Sequence, residues 1–142
     1  MKNWQQLAAR SELQTVQAIK QSLDEGELAE VEEGLNQLLD TMARSEERAL
    51  KSQLVRLMLH VLKWQWQPEK RSRSWLKSIY QARYEIADIQ DYVPSLNRSA
   101  LETIWERALR QASKEAEIET GVSPKTPPEL TWKQVFEDAY QL

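Results

Sequence analysis

Between Leu50 and Trp64 the chain is apolar around most of a helical circumference, and at Pro68 it must stop being helical. Leu50, Leu54, Leu57, Val61 and Trp64 recur at three- and four-residue steps, the period of one helix face. Val55, Met58, Leu59 and Leu62 widen that face, and a helix this apolar is buried by other helices. Lys51, Arg56 and Lys63 interrupt the run, so it cannot serve as a membrane span. The remaining polar strip is Gln53, Arg56, His60, Lys63 and Gln67. Pro68 has no N–H to donate and clashes with the carbonyl four residues back, which ends the helix near Trp66. Proline suits a first helical turn, so the next helix is expected to start at about Pro68 to Lys70. The predicted fold is all-α: a single-domain bundle of five to six helices around a buried central helix at about 45–66.

Three glycines and five prolines leave few turns, which implies long elements with short connections. A first helix over 4–23, broken near Ser11, would present Leu13, Val16, Ile19 and Leu23, and Ser11 with Gln14 has capping-box spacing. A second over 27–43 carries the seam Leu28, Val31, Leu35, Leu38 and Met42. Gly34 either costs this helix about 1 kcal/mol against alanine or admits a large ring. Ser45 either caps a new helix or lies inside one continuous helix from 27 to 66. With a break there, helix 27–43 would fold antiparallel onto 48–66, its seam meeting Leu50, Leu54, Leu57 and Val61. Residues 69–91 give a stripe of Trp75, Ile79, Ala82, Ile86 and Ile89, with Leu76, Tyr80 and Tyr84 beside it. Residues 96–119, with Ser99 and Glu102 spaced as a cap, bury Leu101, Ile104, Trp105, Ala108, Ala112 and Ala116, and Gly121 closes that helix. A Pro-rich connector at 122–130 leads to a short docking helix at 131–140, opened by Thr131 and Gln134.

The formal charge of −3 hides a segregation. Residues 48–84 carry a net +8 and the rest of the chain −11, with six acids and no base between Asp24 and Glu33. A basic surface suits an anionic partner, yet an acidic total is a poor footprint for nucleic acid. The alternative is mutual neutralisation of the two runs, in which Glu30 and Glu33 approach Arg56, His60 and Lys63. Lys63, Trp64, Trp66, Lys70, Arg71, Arg73 and Trp75 interleave cations with indoles, as single-stranded nucleic-acid sites do. Core packing of Trp64 and Trp75 with cation–π contacts accounts for the same pattern and is favoured. His60, the only histidine, has cations one turn away that repel a metal and depress its pKa. It reads as a structural residue bonded to Glu30 or Glu33 rather than as a general base. There is no cysteine, no phosphate loop and no nucleophile elbow, and neither metal nor cofactor is expected.

The segment from His60 to Trp75, HVLKWQWQPEKRSRSW, resembles the signature of the bacterial, mainly cyanobacterial, family called domain of unknown function 29. The matching positions are His60, Lys63, Trp64, Gln67, Pro68, Ser72, Ser74 and Trp75, followed by Arg83. Pro94-Ser95-Leu96, Glu119-Thr120-Gly121 and Trp132 extend the likeness over about the whole chain, while Trp4 is the one echo of the family's aspartate-aromatic opening. The resemblance implies an all-helical fold and brings no activity with it.

The residues therefore favour a non-catalytic protein-interaction module, with Lys63, Trp66, Lys70, Arg71, Arg73 and Arg83 presented to a protein partner. A nucleic-acid-associated protein using the same surface is the alternative, and an enzyme centred on His60 the third reading. Self-association is compatible with all three. With no cleavable signal and no membrane span read from the chain, a soluble cytoplasmic protein is expected.

Overall fold

No glycine or proline lies between Gly34 and Pro68, and the helix over that stretch runs without a break to Trp66. The computed structural model describes residues 2–142, and those residues are largely helical, without strands. Five α-helices form: α1 (Trp4–Arg10), α2 (Glu12–Asp24), α3 (Leu28–Trp66), α4 (Arg73–Tyr92) and α5 (Arg98–Thr120). A 3-10 turn over Pro68–Lys70 joins α3 to α4, and a single π-type turn forms over Lys133–Glu137. The 39 residues of α3 place Ser45 in a helix interior. Helix 27–43 therefore cannot fold back on 48–66, because both are one rod. Residues 30 and 56 lie about 39 Å apart along its axis, so the predicted approach of Glu30 and Glu33 to Arg56, His60 and Lys63 does not occur.

The chain forms two compact units, residues 1–47 and 48–142, and α3 contributes to both. In the first, the Ser11 hydroxyl caps α2 by accepting the Gln14 N–H, and Gly26 turns the chain at φ +74°. Trp4, Ile19 and Leu38 form its core, with Leu7, Ala18 and Val31 packed around them. The Trp4 indole N–H donates to Glu30, and its ring lies over Gly34. Gly34 is thus where a large ring reaches the α3 backbone.

The apolar stripes expected in this unit are only partly buried. On α2 the buried residues are Thr15, Ile19 and Ser22, whereas Leu13, Val16 and Leu23 stand in solvent. Thr15 tolerates burial because its hydroxyl donates to the Ser11 carbonyl at 2.7 Å. Of the α3 seam only Leu38 is fully buried and Val31 partly; Leu28, Leu35 and Met42 are exposed.

In the second unit, Leu50 to Trp64 pack against Ile79, Ala82 and Ile86 of α4 and Leu101, Ala108, Ala112 and Ala116 of α5. Four of those residues are alanine, and small side chains let helices approach closely. Ser72 caps α4 and Asn97, not Ser99, caps α5; the Ser99 carbonyl instead accepts the Thr103 hydroxyl. Gly121, at φ +73°, closes α5. Thr131 and Gln134 exchange both bonds of a capping box, but they open a single turn and not a helix to residue 140. Val135 is buried there, with Trp132, Phe136 and Tyr140 against the core.

A methyl group at Gly34 would lie 2.7 Å from Ile19 Cγ1 and 2.9 Å from the Trp4 ring. Overpacking of this kind costs about 1–3 kcal/mol and outweighs the ~1 kcal/mol that alanine gains in helix propensity. Gly34→Ala should therefore reduce hydrogen-exchange protection in α1 and α2. Unchanged or increased protection would show that Trp4 and Ile19 can yield at no cost.

Candidate functional site

The corner where α3 gives way to α4 holds most of the cations and indoles that the sequence interleaves. A helix leaves the carbonyls of its last turn without intrahelical donors. At α3 one donor comes from Arg71, whose Nε donates to the Trp64 carbonyl at 2.9 Å while its guanidinium lies 4.9 Å from the Trp64 ring centre. Trp64 itself is buried, edge-on to Tyr140 at 5.7 Å. Lys63 does not behave as a surface lysine: its side chain is 12 % exposed, and its ammonium lies 3.4 Å from Glu119 and 4.8 Å over the Trp75 ring. Gln67, also buried, donates to the Thr120 carbonyl at the end of α5. The Ser72 hydroxyl accepts the Trp75 N–H and starts α4.

Arg83 reaches further. Its Nε donates to the Val135 carbonyl at 2.8 Å and a terminal nitrogen to the Gln134 carbonyl at 3.5 Å, with Tyr80 and Tyr140 on its flanks. The Tyr80 hydroxyl donates to the Tyr140 carbonyl and accepts the Tyr140 N–H, so α4 holds the C-terminal segment at two points. Burial pushes the Tyr140 phenol above its ordinary range, and the nearby Asp138 carboxylate adds to this.

His60 is half-buried, and its Nδ1 lies 2.8 Å from the Arg56 carbonyl. A carbonyl only accepts, so this geometry assigns the proton to Nδ1 and leaves Nε2 as the acceptor. Burial is the main cause lowering its pKa; Lys63 and Arg56 lower it further, against the Arg56 carbonyl and Glu119, which favour the charged form. The acid that His60 feels therefore comes from α5, and Glu30 instead accepts from Trp4. No group of three or more metal-ligating side chains gathers among the described residues.

Of the residues predicted to bind, Lys63, Arg71 and Arg83 are engaged within the fold, and Trp66 is half-buried against the core. Lys70 and Arg73 are exposed, and Lys77 joins them. Residues 11–141 match the family described as Domain of unknown function DUF29. The chain belongs to that family. No curated protein and no solved structure matches it. Stretches far apart in the chain meet in space here: Lys63 with Glu119, Gln67 with Thr120, Pro68 and Ser72 at the turn, and Arg83 beside the residues just past Trp132. In this DUF29 chain they build a corner.

One feature has no signal in the sequence. Arg98 lies 4.1 Å over Trp132, which stacks on Trp105 at 5.7 Å and touches Phe136. A shallow cavity of about 270 Å³ opens beside them, lined by Glu102, Glu106 and Leu130 as well. Helical period places Trp105 on a buried face, but no short-range pattern links Arg98 to a ring 34 positions later.

This geometry has two measurable consequences. His60 has a lower pKa folded than its ordinary 6.5, so the unfolded chain binds the proton first. Its contribution opposes folding as pH falls from about 7 through 6.5 and levels off below the folded pKa. Urea midpoints should drop between pH 7.5 and 5.5, and His60→Gln should shrink that drop; an equal drop in the variant would clear His60 of the effect. Arg83→Met removes charged donors from two carbonyls and should cost about 2 kcal/mol. Limited proteolysis should then cut the residues after Gly121 faster than in the parent protein, and an unchanged rate would contradict the clamp.

Proposed function

We propose that this DUF29 protein is a non-catalytic interaction module that receives an acidic, aromatic-containing segment of a protein partner on the outer face of α4. The observation behind this reading is a set of cations that the fold does not neutralise. Lys70, Arg73 and Lys77 are exposed, and among the described residues none of them forms an ion pair. Arg73 and Lys77 are one turn apart, and Tyr84, 71 % exposed, falls on the same face seven residues on. Tyrosine and arginine are the residue types enriched in protein interfaces. The internal bonds of Arg71 and Ser72 hold the start of α4 in place, so the surface needs little ordering on binding.

The nucleic-acid reading is weaker on the same geometry. Base stacking needs free ring faces, whereas Trp64 lies beneath Arg71, Trp75 beneath Lys63, and Trp66 rests on the core. Reversing Lys70, Arg73 and Lys77 to glutamate should weaken binding to a panel of acidic tyrosine- or tryptophan-containing peptides by about tenfold or more, since each exposed charge contributes up to ~1 kcal/mol. Tyr84→Ala should weaken it further. Peptides that bind both proteins equally would overturn the proposal. Tighter binding to a single-stranded oligonucleotide, falling steeply with salt, would favour the alternative.

A further inference from the structure

Residues 1–47 carry more large apolar side chains on their surface than in their core. Leu13, Val16 and Leu23 of α2 and Leu28, Leu35, Leu39 and Met42 of α3 are between 44 and 68 % exposed. Apart from Leu13, which stands further round α2, they lie toward one side of the α2–α3 hairpin. Trp4 covers the other side, through Gly34 and Glu30, and the α3 positions 28, 35, 39 and 42 sit about a third of a turn away from those residues. On α2, where Thr15, Ile19 and Ser22 face inward, Val16 and Leu23 lie about a quarter of a turn from them and Leu13 further round.

We infer that this face is the self-association surface of the protein, and that a second copy completes it as a four-helix bundle of two α2–α3 hairpins. Three observations select that occupant. The first is area. The seven side chains together expose about four full side chains of apolar surface, on the order of 700 Å². That exceeds the usual largest patch of a monomer and approaches the ~800 Å² per partner of a standard interface.

The second is register. Ile19 packs at Gly34, which fixes the hairpin so that residue positions summing to about 53 lie level. A twofold axis parallel to the helices lays α2 of one copy across α3 of the other at those same levels. Leu13 then falls between Leu39 and Met42 of the second copy, Val16 between Leu35 and Leu39, and Leu23 beside Leu28. Each exposed apolar residue on α2 has a counterpart on α3, as an isologous interface requires.

The third is charge. Lys20, the only cation of α2, flanks its apolar stripe and is level with Glu32 and Glu33 across that axis. Glu32 borders the stripe on α3, and α2 offers Lys20 as its only cation there, a poor match to an anionic membrane surface.

This inference does not rest on the α4 surface, and its test keeps the two apart. Sedimentation equilibrium of the full chain should show a dimer. Leu39→Glu and Val16→Glu alter side chains that are exposed within one copy, so each should keep its helical content and thermal midpoint at low concentration. Each should weaken dimerisation by at least about a hundredfold. Lys20→Glu should weaken it less, and adding Glu32→Lys should restore it. The Lys70, Arg73 and Lys77 reversal should leave the dimer intact. A chain that stays monomeric at high micromolar concentration would overturn the inference, as would a dimer indifferent to Leu39→Glu and Val16→Glu.

Discussion

The carbonyl of Trp64 faces a problem common to helices that end inside a protein: it has no N–H above it. A buried carbonyl left without a donor costs about 1–3 kcal/mol, so the chain beyond must return one. Pro68 cannot, because it lacks the N–H, and its ring forces the backbone out of the helix. Arg71 returns the donor from the far side of the 3-10 turn. In doing so it sets where Ser72 lies, hence where α4 begins and which way its apolar stripe points. The Trp64 ring beneath the guanidinium ties the same residue to the core that α3 and α4 share.

The other engaged polar side chains solve related problems. Gln67 donates to the last turn of α5 and Arg83 to carbonyls of the C-terminal segment, so with Arg71 three segment ends in the second unit receive donors from α4 and from its joint with α3. Arginine suits these places because it remains charged and offers several N–H groups in a fixed plane. Lys63 is different. Its ammonium sits between the carboxylate of Glu119, itself half-exposed, and the face of Trp75. A point charge can serve both, and its stem fills space beside the core. The corner is held by directed bonds to backbone, with the ion pair a smaller contributor.

Much of this is legible in the chain. The period of Leu50, Leu54, Leu57, Val61 and Trp64 locates the core, Pro68 locates its end, and Ser11, Gly121 and the pair Thr131 and Gln134 punctuate the chain where their residue types announce it. Ser45 is not decidable from its own residue type, since serine serves both as a cap and within helices; the absence of glycine and proline from 35 to 67 is the better signal. The basic, Trp-rich stretch misleads for a chemical reason. A cation above an indole inside a fold uses the same residue types as a phosphate-and-base site. Only the position of Glu119, or of the Gln134 and Val135 carbonyls, tells them apart, and these lie some 50 residues away in sequence. The stripes of α2 and the first part of α3 depart from expectation because amphipathic period does not say which flank of a broad stripe is covered.

That last ambiguity has a physical consequence. In the first unit Trp4, Ala8, Ile19 and Leu38 are the apolar residues taken fully out of water. A unit of this size buries a smaller fraction of its surface than a larger domain does and is correspondingly less stable. Here the burial is also one-sided: Trp4 closes one face of the hairpin by means of a glycine that admits its ring, and among the described residues of this unit none closes the other. If the broad stripe of α3 served only the contacts within this unit, Leu28, Leu35, Leu39 and Met42 could be polar at no cost to its core. Their presence is unfavourable in water and becomes favourable when covered. The same reasoning applies to Leu13, Val16 and Leu23. The 39 residues of α3 meet α1 and α2 in this unit and α4 and α5 in the other, and the stripe of Leu28, Leu35, Leu39 and Met42 is the part that neither set covers.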